Sequence, residues 1–299
     1  MKTRAVPLFL NPTAGRGRAG RRVSRIRELF EHAGILIEVH SSRAVGDLED
    51  QVCAAVANGE GKIIVAGGDG SIHEAVNGIM RASGEAALGV IPTGTGNDFA
   101  KACAIPLNWE HATQLLAGRL CANASSRSID IGRMNDRYFA NGAGIGFDAK
   151  VTRIARAYRW PIGDFVYLLA IFRCMVDGIA TPDLTIETED LRWSGPITLA
   201  SISNGAWIGG MFHIAPMANN SDGQLELMIA DPVSRLRILF LLPKLLRGTH
   251  MGAREITHTG ARRLRIAATA PLESHLDGEV QPLAMTFEVE VLPAALDLL

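Results

Sequence analysis

The chain has 299 residues, of which 47% are hydrophobic, and its 31 acidic residues nearly balance its 30 basic residues, giving a formal net charge of −1. This length is enough for two domains with separate cores, and the near-neutral charge excludes a global electrostatic attraction to nucleic acid or anionic lipid. Any membrane contact must therefore be local. Four cysteines without paired spacing argue against a zinc site or a disulfide framework and fit a reducing cytoplasm.

The first part of the chain alternates apolar runs with segments of helical periodicity. The pattern predicts strands at Val6–Leu10, Ile35–Val39, Lys62–Ala66 and Leu88–Ile91, and helices at Arg21–Ala33, Leu48–Ala57, Ser71–Met80 and Trp109–Leu120. The first apolar run is too short for a signal peptide. Alternating β and α elements predict a parallel sheet, so we expect an α/β domain over residues 1–126.

A small polar stretch at 122–126 reads as a linker, and period-two alternation begins beyond it. Strands are predicted at Ser128–Met134, Arg137–Ala140, Leu184–Thr188, Ile197–Ser203, Gln224–Ile229, Arg263–Ala267 and Met285–Val291. We therefore expect a mostly antiparallel second domain over 127–299. Two apolar helices interrupt it, at Gly163–Val176 and Arg235–Arg247, and both are shorter than the roughly 20 residues needed to cross a bilayer.

The segment Gly67-Gly68-Asp69-Gly70 lies at a predicted strand-to-helix turn, where phosphates bind. Glycines allow positive φ and a close backbone approach, so Gly68→Val is expected to block phosphate binding while leaving the fold intact. A carboxylate beside a phosphate is repulsive unless a metal ion or a basic group lies between them, so Asp69 suggests a nucleotide bound with magnesium. A tight turn with a solvated Asp is the alternative.

Two further loops follow predicted strands, Asn11–Gly17 and Pro92–Ala100. Because parallel strands end at one edge of a sheet, all three loops should meet at its carboxyl edge, where open α/β sheets bind ligands.

These loops, in this order, resemble those of the diacylglycerol kinase family of lipid kinases, in its bacterial branch and including the sphingosine kinase relatives. The resemblance extends to the segments Asn141–Ala149, Asn220–Gly223 and Leu276–Glu279. It implies a Rossmann-like nucleotide domain, a C-terminal β-sandwich, and ATP and Mg²⁺ as cofactors. The ATP contacts it implies are Asn11, Pro12, Thr13, Ala14, Gly15, Arg16, Gly67, Gly68, Asp69, Gly70, Ser71, Ile72, His73, Glu74, Thr95, Asn97 and Asp98.

The resemblance also implies a charged network in which Arg16 meets the carboxylates of Asp69 and Asp98 through magnesium or its waters. Ser42 occupies the approximate position of a nucleotide-contacting Thr of the family, but a Ser that caps the following loop is as good an interpretation.

In the second domain, the resemblance implies a structural magnesium held by Asp222 and the backbone carbonyls of Asn219 and Gln224. A single carboxylate is enough for Mg²⁺, which keeps several waters. A β-turn before a strand is the alternative.

The family's catalytic base corresponds to Asp277, and Glu279, two residues on, could bind magnesium or hold that base. An Asp-Gly turn between strands is the alternative for this segment. His275 precedes Asp277 by two residues, so on a strand it would share a face with the base.

The expected function is transfer of the γ-phosphate of ATP to the hydroxyl of a membrane lipid such as diacylglycerol, in phospholipid metabolism. A soluble NAD kinase and a nucleotide-binding regulator without activity are the alternatives. The expected partner is a lipid substrate at the membrane surface, and no nucleic-acid partner is expected. Whether the protein forms a homodimer stays open. The second apolar helix carries basic residues near its ends, Arg235, Arg237, Lys244 and Arg247. It either docks a cytoplasmic protein on a membrane or, as the favoured alternative, packs in the core.

Overall fold

The structure is a computed structural model that describes residues 5–82, 85–158, 163 and 165–299; the side chain of Arg16 lies outside the described part. The chain forms two compact units, one of residues up to Ile129 together with Ala294–Leu299, and one of Asp130–Pro293. The sequence predicted a boundary between residues 126 and 127, with all later residues in the second domain. The return occurs because the last residues of the chain pair with a strand of the first unit, Leu298 opposite Leu88.

The N-terminal unit is an α/β sheet layered with helices. Its strands are β1 (Val6–Leu10), β2 (Ile37–Ser41), β3 (Lys62–Gly67) and β4 (Ala87–Pro92), and its helices are α1 (Ala14–His32), α2 (Asp47–Ala57), α3 (Asp69–Arg81), α4 (Asp98–Ala102) and α5 (Trp109–Cys121). The strands pair in parallel in the order β2-β1-β3-β4. Buried β-branched and leucine side chains on β1 and β3 pack against α1 and α5. The predicted parallel-sheet domain is confirmed.

Helix α1 begins at Ala14, whereas the sequence predicted Arg21. The first turns were missed because they carry glycine and arginine rather than an apolar stripe; within them Ala19 is buried. Gly15 and Gly17 have φ of +58° and +77°, so the start of the helix is irregular and depends on residues without a Cβ.

The loop between β3 and α3 differs in backbone conformation from the prediction. Gly68 has φ −104° and ψ −167° and is the N-cap of α3, and none of the glycines from 67 to 70 has positive φ. The expectation of positive φ in this loop was wrong. Gly68 is required instead because a neighbouring loop packs closely against it.

The C-terminal unit is antiparallel, as predicted. Its strands are β5 (Arg127–Met134), which enters from the first unit, β6 (Arg137–Phe139), β7 (Gly142–Gly146), β8 (Asp183–Thr188), β9 (Arg192–Pro196), β10 (Leu199–Ser203), β11 (Leu225–Ala230), β12 (Ile256–Ala261), β13 (Arg263–Leu276) and β14 (Glu279–Leu298). Its helices are α6 (Phe147–Ala157), α7 (Phe165–Asp177) and α8 (Arg235–Arg247). The sequence did not predict α6, β7, β9 or β12.

The strands run β12-β11-β10-β7-β13-β14, with β8 and β9 added beside β13. Register shifts between Ala267 and Ser274 let the first part of β13 pair with β8 and its last residues with β7. The sandwich closes over a core that includes Phe139, Ile145, Ile202 and Phe287, all nearly inaccessible to solvent. The predicted β5–β6 hairpin is confirmed, with Gly132 opposite Phe139.

Helices α6, α7 and α8 share a second apolar cluster around Val151, Ile171 and Ile238. The other faces of α7 and α8 leave large apolar side chains exposed, among them Phe172, Leu236 and Phe240. In the described part of the chain, no helix is both long enough and apolar enough to cross a membrane.

One of the basic residues expected to face a membrane has a structural role. The guanidinium of Arg237 donates two hydrogen bonds to the carboxylate of Glu255, at 2.8 and 3.0 Å. This pair attaches α8 to the segment before β12, so Arg237 is a poor probe of membrane contact.

The same pair predicts a pH dependence. The hydrogen bonds from Arg237 lower the pKa of Glu255 to about 2. Because this is below the unfolded value of about 4.3, the stabilisation is complete above pH 4.3 and is lost as the pH falls towards 2. In thermal unfolding followed by circular dichroism, Glu255→Gln should have a lower melting temperature than the wild type at pH 7, and this difference should shrink as the pH falls through that window. Glu31→Gln, at an exposed α1 carboxylate, is the control; equal pH profiles for all three proteins would contradict the pairing.

Candidate active site

Three loops meet at the carboxyl edge of the N-terminal sheet, as the sequence predicted. The Thr93 N–H donates to the Gly67 carbonyl at 2.9 Å, which joins the loops after β3 and β4. A Cβ on Gly68 would lie 2.9 Å from the Cα of Gly94, and a Cβ on Gly15 would clash with the Thr93 carbonyl. The glycines therefore allow the loops to pack on one another.

This packing corrects one expectation. A Val at position 68 would press against the backbone of Gly94 and could not leave the local fold intact. Loss of ligand binding in such a variant would therefore not separate phosphate contact from loop collapse.

The two carboxylates of the predicted charged network have defined partners. Asp69 Oδ1 accepts the Phe99 N–H at 3.0 Å, at the start of α4. Asp98 is buried, and its Oδ1 pairs with Lys101 Nζ at 3.0 Å. Sequence reasoning missed Lys101, although its i,i+3 spacing from Asp98 is a usable signal. The predicted basic member, Arg16, has its side chain outside the described residues.

A second basic residue of α1 lies at the loops and was also missed. Arg18 donates to the Gly15 carbonyl at 2.8 Å and to the Thr95 hydroxyl at 3.4 Å. Nearby, the Arg22 guanidinium stacks 4.8 Å from the centre of the Trp109 ring, and its pKa is lowered by burial and by the charges of Arg18 and Arg21. This concentration of positive charge favours an anion.

Two buried polar atoms in the loop after β4, Thr93 Oγ1 and Asn97 Oδ1, have no hydrogen-bond partner among the described residues. Asn97 has φ +51° and its amide donates to the Gly94 carbonyl at 3.3 Å. Unsatisfied buried polar atoms are uncommon and costly, so they indicate that water or a polar ligand completes this loop.

Several predicted ligand residues have structural partners. Asn11 Oδ1 accepts the backbone N–H and the hydroxyl of Thr13, at 2.9 and 2.6 Å. Glu74 accepts the Leu48 N–H at 3.1 Å, and Ile72 and His73 are buried within the unit. Contact of Ile72 and His73 with a nucleotide stays a prediction.

Ser42 is buried just after β2, and its N–H donates to the Leu10 carbonyl at 2.9 Å. In the loop that follows Ser42, the Asp47 carboxylate accepts the backbone N–H of Arg43 at 2.7 Å. Contact of Ser42 with a nucleotide stays a prediction.

In the C-terminal unit, Asp277 and Gly278 form the tight turn between β13 and β14, with φ of +50° and +85°. Positive φ at both residues is typical of a two-residue hairpin, so the turn interpretation of this segment is correct for the backbone. The side chain folds back on the segment before β7. Its Oδ2 accepts the Ala140 N–H at 2.9 Å, and its Oδ1 accepts those of Asn141 and Gly142 at 2.8 and 2.9 Å. These donors orient the carboxylate and stabilise its negative charge.

Glu279, which was predicted to assist Asp277, pairs with Arg156 of α6. Arg156 also donates to the Gly278 carbonyl at 3.0 Å, so it holds the turn from the side of α6. Sequence reasoning missed this arginine because it did not predict α6.

Asn204 connects the Asp277 site to the predicted metal loop. Its amide donates to the carbonyls of Asp130 and Ala140, each at 2.8 Å, and its backbone N–H donates to the Asn141 carbonyl at 2.9 Å. Asp130 in turn accepts the Gly223 N–H at 2.7 Å. Segment 140–142 and loop 219–224 are thus fixed through one buried amide.

In that loop, Asp222 is exposed and its Oδ1 accepts the Gln224 N–H at 3.0 Å, which is a turn of the kind offered as the alternative. The described residues contain no cluster of three or more His, Cys, Asp or Glu side chains that could hold a metal ion. A site built from Asp222 and the carbonyls of Asn219 and Gln224 stays a prediction.

The sequence matches two family models that together span most of the chain. The model described as the diacylglycerol kinase catalytic domain matches residues 5–134, and the YegS C-terminal NAD kinase beta sandwich-like domain matches residues 142–299. With the parallel sheet and the antiparallel sandwich, these matches define the class as a two-domain lipid kinase.

The chain belongs to the diacylglycerol kinase family, in its bacterial branch. It is 31% identical over 273 residues to a diacylglycerol kinase of Bacillus subtilis (strain 168), covering 91% of this chain and 88% of the relative. It is 33% identical over 272 residues to a "Probable lipid kinase YegS-like" of Pectobacterium atrosepticum, covering 88% and 86%. A crystal structure of a diacylglycerol kinase from Bacillus anthracis str. Sterne superposes with a TM-score of 0.74 at 21% identity, covering 100% and 97% of the two chains, which supports the fold.

The Asn204 clamp predicts a stability effect. Asn204→Leu removes both amide donors and leaves the buried carbonyls of Asp130 and Ala140 without them. Each unsatisfied group costs about 1–3 kcal/mol, so the free energy of unfolding in urea should fall by roughly 2–5 kcal/mol. Asn58→Leu, at an exposed helix end, should change it little. A fall at position 204 no larger than at position 58 would show that the amide does not clamp these segments.

Proposed function

We propose that this protein transfers the γ-phosphate of ATP to the hydroxyl of a lipid acceptor of the diacylglycerol type. The observation that carries the proposal is the carboxylate of Asp277, held by three backbone N–H groups on a hairpin turn within a lipid-kinase family member. The similarity to a diacylglycerol kinase and to a probable lipid kinase supports the acceptor class.

ATP would bind at the loops of the N-terminal unit. Loop backbones without Cβ atoms, the positive charge of Arg18 and the unpartnered Thr93 Oγ1 suit a triphosphate. The predicted contacts from Asn11 to Gly15, Gly67 to Ser71 and at Thr95 surround this region.

Magnesium would be held at two places. Near the loops, the carboxylates of Asp69 and Asp98 suit a hydrated ion, which would neutralise charge on the triphosphate. In the C-terminal unit, loop 219–224 offers the Asp222 carboxylate and backbone carbonyls for a structural ion.

Asp277 would act as the general base. An alcohol is not ionised at neutral pH, so a carboxylate helps by accepting the proton as the new oxygen–phosphorus bond forms. The three N–H donors keep the carboxylate oriented throughout, which matters more here than a high basicity.

The acceptor would be reached at a membrane surface by a cytoplasmic protein that docks peripherally. On α7, Phe165, Leu169, Phe172 and Val176 are exposed and recur at helical spacing. On α8, Leu236 and Phe240 are about 70% exposed while Ile238 is buried, so a helix serving only the core does not account for its outer face. Exposed apolar side chains with Arg235 and Lys244 nearby suit an anionic bilayer.

The phosphate site predicts an effect at Arg18. Arg18→Gln removes a charged donor and should weaken ATP binding, measured by calorimetry with magnesium, by about 10- to 100-fold, because a hydrogen bond to a charged group contributes roughly 1.5–3 kcal/mol. Arg25→Gln, an exposed residue of the same helix that pairs with Glu28, should bind ATP like the wild type. Equal affinities in the three proteins would remove Arg18 from the site.

The base predicts a loss of turnover. Asp277→Asn removes the basic oxygen at nearly constant side-chain size; its amide oxygen can still accept the Asn141 and Gly142 N–H groups, while the Ala140 N–H loses its acceptor. With the fold checked by circular dichroism, kcat on diacylglycerol micelles should fall by roughly 10²- to 10⁴-fold with little change in ATP affinity. Asp136→Asn, in the exposed turn between β5 and β6, is the matched control. If the Asp277 variant retains more than about a third of wild-type kcat with chemistry rate-limiting, Asp277 is not the base.

A further inference from the structure

A buried histidine and a partly exposed aspartate lie behind the hairpin turn that carries Asp277. His275, on β13, is 1% exposed, and its Nε2 lies 3.5 Å from Oδ2 of Asp148 in the first turn of α6. On the other side of the ring, the Gly278 N–H points at His275 Nδ1 at 3.4 Å. The ring therefore lies between a carboxylate and the turn.

This arrangement assigns the tautomer of His275. A backbone N–H can only donate, so Nδ1 is the acceptor and the ring proton belongs on Nε2, facing Asp148. The other oxygen of Asp148 accepts the Ala149 N–H at 2.8 Å. Asp148 Oδ2 and His275 Nε2 approach each other at 3.5 Å, and neither has a hydrogen-bond partner within the described residues.

The fold reserves space for this pair. Gly144 on β7 lies opposite His275 in the strand ladder. A Cβ on Gly144 would lie 2.5 Å from His275 Nε2 and would clash with Asp148 Oδ2. Any larger residue at position 144 would separate the two side chains, so the glycine is what allows them to meet.

We propose that Asp148 and His275 are positioning residues for the kinase reaction, acting through the Asp277–Gly278 turn. Asp148 fixes the tautomer and orientation of the His275 ring, and the ring holds the N–H of Gly278, whose carbonyl is held by Arg156. Gly278 is thereby held on both sides, which limits rotation of the turn that aims the base. This proposal rests on the proposed role of Asp277.

The alternative is a histidine that only fills the core. It predicts a loss of stability and of active fraction, whereas a positioning role predicts a loss of kcat at unchanged ATP affinity, because small misplacements of a reacting group are costly. The Asp148–His275 contact itself is not needed to close the sandwich, since Asp277 keeps its own bonds to segment 140–142.

The test compares Asp148→Asn, His275→Gln and the double variant, with His258→Gln at an exposed strand histidine as the control. Each single variant should lose about tenfold in kcat with the KM for ATP unchanged, and the double variant should lose no more than either. In the Asp277→Asn background, Asp148→Asn should cause no further loss. Wild-type kcat in the single variants, or an equal further loss without Asp277, would overturn the proposal.

A measurement on the wild-type protein that does not depend on turnover tests the proposal even if the variants fail to fold. In ¹⁵N NMR of the wild-type protein, His275 should be the Nε2–H tautomer, and a proton on Nδ1 would overturn the proposal. If Asp277→Asn keeps full activity, the base assignment fails, and the tautomer of His275 then decides whether the pair holds the turn.

Discussion

The interaction on which the C-terminal unit depends is the acceptance of three backbone N–H groups by one carboxylate. Asp277 fixes segment 140–142, from which β7 starts, and its own N–H bonds back to the Gly142 carbonyl. The same segment receives Asn204, which holds Asp130 and, through it, the loop at Gly223. A turn residue, a strand start and a loop thus share a network in which the charge of Asp277 is balanced by oriented N–H dipoles.

In the N-terminal unit, the corresponding constraint is space. Gly15, Gly68 and Gly94 let three loops approach more closely than any Cβ would allow, and the N–H of Thr93 joins two of them. This brings the start of α1, with Arg18, to the same edge as Thr95. The N-terminal unit thus has a positively charged sheet edge, and the C-terminal unit has an oriented carboxylate.

Sequence patterns predicted elements whose signal is local. Strand β1 and helix α8 were predicted to the residue, and β3 and β4 closely, because β-branched runs and helical apolar spacing are signals contained within a few neighbouring residues. Helix α6 was missed because its start overlaps the glycine-rich segment after Asn141. The role of Asn204 was not predictable, since its partners are 64 and 74 residues away in the chain. The glycines of the β3 loop were identified correctly as important. Their physical role was not predictable, because the residues that they contact lie in another loop.

The central claim is phosphoryl transfer from ATP to a lipid hydroxyl, and the C-terminal family model also carries the name of NAD kinases. The most direct measurement incubates the protein with γ-labelled ATP, magnesium, a total lipid extract and NAD in one reaction and separates the products by solvent extraction. The account predicts label in a phosphorylated lipid in the organic phase and none in NADP. Label recovered only in NADP, or no transfer beyond that of a heat-treated sample, would contradict it.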